Sequence, residues 1–335
     1  MKFKIKKSVP FHQKETIPEY DYATHGVTQG ILQSFLECRE QCRLHLAGWQ
    51  SRFGQMGLTY GSIVHDSLEI AYTGIRKGTF KQTPDRKQTS AIISRVEKDW
   101  KERVRVADNS TKQMISTSLM IAEQTLPVYF DYWRKDDSKV KWLQVEKEFC
   151  VPYVDYRGRK VLLRGKRDGA FKRENELWLL ETKTKSHIAE GDLATVLPLD
   201  IQINLYMLTL GLELDKRING ALYNIIRRLC LKQNKKETTS AFVKRCAKDI
   251  ESRPDFYFIR LEVAIDQSDL MEWEKNFLPL LTGFIDWVTC SGYHYYNSGH
   301  CINKYGKCKF VNICSFKDYT NYIKRTSMYN ELEDL

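Results

Sequence analysis

One stretch constrains this chain more than any other: Lys160 to Ser186, KVLLRGKRDGAFKRENELWLLETKTKS. It reads as two β-strands. The first is apolar at Val161, Leu162 and Leu163 and resumes at Ala170 and Phe171; the second sets Leu177, Leu179, Glu181 and Lys183 on one face. Arg173-Glu174-Asn175-Glu176 between them suits a hairpin turn. A turn centred on Glu174-Asn175 pairs Arg173 with Glu176. Counting back puts Asp168 opposite Glu181, on the same face as Lys183. Opposed carboxylates repel and weaken a sheet. In strands this apolar they call for a cation, and a divalent one with hard oxygen ligands, Mg²⁺ or Mn²⁺, is the simplest. Lys183 is then placed to orient or activate a water. Two plainer readings compete. Asp168-Gly169 suits a hairpin turn by itself, and Glu181 to Lys185 suits a solvated strand end.

Size and charge narrow the field. A chain of 335 residues is long enough for a sizeable core, and 42% hydrophobic and 12% aromatic residues are globular values. Lys and Arg outnumber Asp and Glu by 53 to 42, a net +11, which favours a polyanionic partner such as nucleic acid. No run of about 18 apolar residues is present, so no membrane span is expected. MKFKIKKSVPFHQKE is basic but lacks an apolar core, so a secretory signal is not expected either. The nine cysteines then read as reduced thiols or metal ligands of a cytoplasmic protein, in a bacterial cell or a phage-infected host.

Along the chain, residues 1–24 form a lead-in. Ile31, Phe35, Cys38, Cys42 and Leu46 predict one amphipathic helix over 27–50, and Tyr60, Val64, Leu68, Ala71 and Ile75 a second over 58–75. Residues 84–136 read as helical, in two pieces broken near Asp108, and as an insertion beside the core. Strands are expected over 142–155, 219–231 and 255–265, and helices over 199–212, 236–252 and 267–290. The tail from Gly292 is loop-rich. The organisation expected is a single domain over 1–335: a helical region over 25–140, a core over 141–290 and a cysteine-bearing tail over 291–335. The fold class is α/β, a mixed central sheet flanked by helices.

Asp168, twelve residues, then Glu181-Thr182-Lys183 resembles the core of the PD-(D/E)XK nucleases, and Gly165-x-x-Asp168 is similar to their RecB-like branch. Two more motifs fall in that branch's order. Gln202 and Tyr206 share one helix face and resemble its Gln-x-x-x-Tyr motif, about twenty residues after Lys183; by themselves they read as polar residues with local partners. Gly61 and His65 resemble its N-terminal helix, although a lone His beside an apolar stripe is ordinarily a boundary residue. The resemblance implies a restriction-endonuclease-like core in which Asp168, Glu181 and the Thr182 carbonyl hold Mg²⁺ or Mn²⁺ and His65 completes the shell. It implies Lys183 assisting the attacking water, and Gln202 and Tyr206 positioning DNA and the site.

Cys301, Cys308 and Cys314 are separated by six and five residues, which is not a zinc-ribbon spacing. Cys38-Arg-Glu-Gln-Cys-Arg resembles the segment of RecB-like nucleases, such as the AddB nuclease domain and the CRISPR-adaptation nucleases, that gives one N-terminal ligand to a [4Fe–4S] cluster. There the cluster ties the tail to the N-terminal helix. Cys42 is the rival fourth ligand, and Zn²⁺ with His300 the rival cofactor. Cys150, Cys230, Cys246 and Cys290 read as buried thiols. Basic residues around the hairpin, Arg164, Lys166 and Arg167 among them, are where a phosphate backbone would lie. The function expected is a metal-dependent DNA exonuclease on single-stranded or linear ends, in recombination, repair or phage DNA metabolism, with DNA as its partner and a helicase or recombination protein as the candidate protein partner. The alternative is a nuclease-fold DNA-binding scaffold subunit.

Overall fold

In the computed structural model, the described residues are 20–52, 56–186, 188, 190–289, 294–303, 306–325, 327–329 and 332. Most of the lead-in expected over 1–24, and Cys290, lie outside them.

The hairpin forms in the register its turn dictates. Arg173 pairs with Glu176, Phe171 with Trp178 and Gly169 with Leu180. Glu174 takes a φ of 57°, a left-handed conformation that costs about 1–2 kcal/mol outside glycine. The two strands, Lys160–Arg173 and Glu176–Lys185, stand second and third in a five-stranded sheet. Its order is Val140–Val154, Lys160–Arg173, Glu176–Lys185, Gly220–Arg227 and Phe258–Ala264. Glu176–Lys185 and Gly220–Arg227 run parallel, with antiparallel neighbours on both sides. A parallel pair needs a crossover, and the Ile201–Leu214 helix supplies it. Every residue of that helix from Ile203 to Leu210 is buried, as an apolar helix requires.

The chain divides into two compact units, residues 52–151 with 163–274, and residues 1–51 with 152–162 and 275–335. In the first, helices Met56–Arg76, Arg86–Asp99 and Asn109–Asp137 pack together and share one core with the sheet. Ile92, Val96, Leu119, Leu126 and Phe130 lie in the same cluster as Phe171, Trp178, Leu180, Leu222 and Ile226. The stretch 84–136 is therefore part of the core. Each large apolar side chain so buried contributes about 1.5–3 kcal/mol. The helix also breaks at Trp100, besides the expected break at Asp108.

In the other unit, Phe35 meets Phe284 and Trp287 edge-on or tilted at 5.4 Å. Leu44 shares a small core with Phe310, Ile313 and Tyr322. Trp49–Ser51 pairs antiparallel with Tyr322–Lys324. The helix expected over 27–50 is two, Gln29–Glu37 and Arg39–Leu46, because Cys38 is extended, at φ −163° and ψ 122°. The Asn297 side chain donates to the Glu37 carbonyl at 2.7 Å, satisfying one of the carbonyls that a helix end orphans. Among the described residues no single helix is long and apolar enough to cross a membrane.

Candidate active site

Strand alternation carries Glu181 and Lys183 to one face, and the strands bring Asp168 beside them. Asp168 Oδ2 accepts from the Thr182 backbone N–H at 2.5 Å. Lys183 Nζ lies 2.5 Å from Glu181 Oε1 and donates to Gln202 Oε1 at 2.9 Å. Tyr206, one helical turn beyond Gln202, is buried and stacks edge-on to Phe149 at 5.3 Å. Gly165 lets this ring in: a Cβ there would stand 2.7 Å from Phe149 Cζ and 3.1 Å from Tyr206 Cε1.

The Met56–Arg76 helix adds an imidazole nitrogen to the site. At Gly61 a Cβ would stand 2.9 Å from Thr184 Oγ1, so glycine brings this helix close to the strand. One turn on, His65 Nδ1 lies 3.5 Å from Asp168 Oδ1 and 3.4 Å from Glu146 Oε1. Ligand atoms of His65, Glu146 and Asp168 all fall within 4.8 Å of one another.

Glu146 is the residue that sequence reasoning missed. It has a φ of 45° inside the Val140–Val154 strand, where a non-glycine residue is an outlier of the kind that collects at functional sites. The buried positions switch there from even (Trp142, Gln144) to odd (Phe149, Val151). That switch of phase is the one signal the sequence held.

The electrostatics are those of crowded acids out of water. Burial raises the Glu181 carboxyl to about 7; Asp168 adds to the rise and Lys183 opposes it. Burial raises Asp168 too, with Glu146 adding and His65 opposing. Burial alone would push His65 down, but Asp168 and Glu146 outweigh it and hold it up at about 9. Glu181 Oε2 is buried and has no hydrogen-bond partner. Three carboxylates, one of them with an orphaned buried oxygen, and an imidazole make a donor set that fits Mg²⁺ or Mn²⁺.

The expected DNA contacts are placed differently from one another. Arg167 is fully buried, bonded to Glu213 Oε2 at 2.6 Å and stacked 4.1 Å over Phe149. Arg164 is 5% exposed. Neither guanidinium is offered to a phosphate, because both side chains are buried. Lys166 is partly exposed and pairs with Glu146 Oε2 at 3.1 Å.

Cys38 and the tail cysteines gather in the other unit. The Asn297 backbone N–H points at Cys38 Sγ, 3.4 Å away. The Cys308 backbone N–H donates to the Cys301 carbonyl at 2.8 Å, and the Cys308 thiol donates to Gln41 Oε1 at 3.1 Å. Burial pushes Cys314 up to about 11, with Glu40, Cys308, Cys38 and Cys301 close enough to add to it. Cys42 is fully buried, its sulfur against the Ile31 carbonyl at 3.8 Å. His300 faces Glu37 Oε2 at 3.1 Å. Of the cysteines expected to be buried, Cys246 is, Cys150 is partly so, and Cys230 is exposed.

No curated protein matches the chain. The solved structure described as "Crystal structure of SSO0001" is 14% identical, covering 75% of this chain and 84% of that one at a TM-score of 0.31. The family model of the PD-(D/E)XK nuclease superfamily matches residues 27–315, which include the strand carrying Glu146, the hairpin and the helix carrying Gln202. The chain thus belongs to the PD-(D/E)XK nuclease superfamily and is a metal-dependent nuclease.

Proposed function

We propose that this protein is a DNA exonuclease of the RecB-like branch, acting on single strands or linear ends. The observation that carries the reading is the joining of Asp168, Glu181 and Lys183 with His65, Glu146 and the Gln202–Tyr206 turn. Asp168, Glu181 and Glu146 would hold Mg²⁺ or Mn²⁺ with His65, and the Thr182 carbonyl would complete the set. When bound, the metal supplies Lewis acidity and charge for a phosphodiester under attack. The chain's own groups do the rest. Lys183, kept as an ammonium by Glu181 and Asp168 despite its burial, orients the attacking water and stabilises developing negative charge. Gln202 fixes its Nζ from the other side, and Tyr206 walls the site against bulk water.

Metal binding is expected to show as stability. Mn²⁺ at about 100 times its Kd should stabilise the protein by about 2.7 kcal/mol, read as a rise in melting temperature. Asp168→Asn should abolish the rise and Glu146→Gln should cut it. An equal rise in all three proteins would remove the ligand assignment.

The reading includes a [4Fe–4S] cluster on Cys38, Cys301, Cys308 and Cys314. A backbone N–H aimed at the Cys38 sulfur suits a thiolate ligand, since hydrogen bonds to sulfur tune such centres. Zinc would draw the sulfurs to about 3.8 Å of one another at Zn–S distances of ~2.3 Å. Among the described residues no three cysteine sulfurs lie within 4.8 Å of one another. Anaerobically purified protein should carry iron and acid-labile sulfide, lost together in Cys308→Ala. Zinc in their place would overturn the cluster.

A further inference from the structure

Beyond Glu181 and Lys183 the same sheet face carries two more cations. Glu176–Lys185 and Gly220–Arg227 run parallel, with Glu181 beside Tyr223, Lys183 beside Ile225 and Lys185 beside Arg227. Paired residues share a face, so Lys185 and Arg227 stand on the face of Glu181 and Lys183, two residues further along. Two residues of strand span about 6.6 Å. Like charges directly opposite one another destabilise a sheet, so the two cations make a cationic edge beyond the catalytic lysine that would suit an anion.

Local contacts prepare the pair for one. Arg227 Nε donates to the Phe256 carbonyl at 2.8 Å, and its guanidinium stacks 4.0 Å over the Phe256 ring. Among the described residues Arg227 has no carboxylate partner. Arg253, 4.3 Å over the same ring, is instead held by Asp249 Oδ2 at 2.7 Å. Lys185 Nζ lies 5.2 Å over the Tyr223 ring. Arg227 is thus oriented by one donor and a stacked aromatic, with its terminal nitrogens left to form the planar fork that matches a phosphate.

We propose that Lys185 and Arg227 form a subsite for the phosphate next to the scissile one, on the strand being cut. This rests on the nuclease reading above and gives it a direction: the substrate leaves the metal centre along the ends of these two parallel strands. The contact is to backbone phosphate, so it serves every sequence alike.

The test is the salt dependence of binding in full-length protein made inert by Lys183→Ala, with fluorescein-labelled oligodeoxythymidine in Mg²⁺ and anisotropy as the readout. Each phosphate contact on a single strand contributes about 0.7 to the slope of log K against log salt. Arg227→Gln, which keeps the stem and a donor, should lower the slope by about 0.7, and adding Lys185→Gln by about 1.4 in all. Arg227→Lys should restore most of it. Lys87→Ala, an exposed lysine on the Arg86–Asp99 helix, should leave it unchanged, and an oligonucleotide of mixed sequence should give the same losses. An unchanged slope in Arg227→Gln, with the parent binding normally, overturns the subsite alone. A parent that does not bind overturns the substrate reading and the subsite together.

Discussion

Lys183→Ala is expected to leave a folded protein whose DNA cleavage is slower by about 10²–10⁴-fold, the range for losing a positioned proton-transfer or charge-stabilising group. Lys183 lies two residues from the end of the Glu176–Lys185 strand, with its side chain about a third exposed. Its ammonium is wedged between Glu181 Oε1 and Gln202 Oε1. Burial works against that charge, and the neighbouring carboxylates more than reverse the effect. Removing it takes away the cation beside the attacked phosphate while leaving His65, Glu146 and Asp168 in place. Metal-induced stabilisation should therefore survive in the variant while the rate collapses. Initial rates on a labelled oligonucleotide, taken beside a thermal melt with Mn²⁺, check both halves. Wild-type cleavage by Lys183→Ala would contradict the role assigned to it.

Arg260→Met is expected to be the most destabilising single change considered for the sheet. Arg260 lies on the last strand, and its guanidinium is 8% exposed beside a 3% exposed Asp137 at 2.6 Å. The same guanidinium donates to Tyr129 Oη at 3.0 Å and Asn224 Oδ1 at 3.3 Å. Tyr129 in turn is hydrogen-bonded to the Tyr72 hydroxyl at 2.9 Å, and Asn224 donates to Thr182 Oγ1 at 3.2 Å. Losing one partner of such a pair leaves the other charge buried and uncompensated, a cost of about 3–5 kcal/mol. For a unit of this size that is roughly 10 °C in melting temperature. Thr182 is the residue whose N–H holds Asp168, so the network also braces the site. Arg260→Lys should recover part of the stability, because it restores charge without the planar fork. A melting temperature within a degree of wild type in Arg260→Met would show that the network carries little.

Much of this was legible in the sequence, and the reasons differ by residue. The hairpin could be read because a two-residue turn fixes its register, and register fixes which carboxylates meet. The crossover helix could be read because an unbroken apolar run has one place to go. Glu146 could not be read from strand period, because its left-handed backbone resets the alternation that such a reading assumes. Cys38 looked like one more member of a helical stripe with Ile31, Phe35 and Cys42. It ends a helix instead, because Asn297, 260 residues beyond Glu37 in sequence, supplies the cap to the Glu37 carbonyl. The basic run Arg164 to Arg167 misled for another reason. Charge can be counted from letters, but burial cannot, and Arg167 spends its charge on Glu213. The cations on the catalytic face, Lys185 and Arg227, are 42 residues apart and come together only through parallel pairing.

The central claim is that this centre cuts DNA with a bound metal and works from ends. The most direct measurement is digestion of end-labelled linear single-stranded DNA beside a closed single-stranded circle, with Mg²⁺ or Mn²⁺ and with chelator. The account predicts metal-dependent loss of the linear substrate alone, with the position of the label giving the polarity. Cutting of the circle as well would make the enzyme an endonuclease and contradict the exonuclease reading. No cutting of either by anaerobically prepared, metal-supplied protein would contradict the catalytic assignment and leave a DNA-binding scaffold built on the nuclease fold.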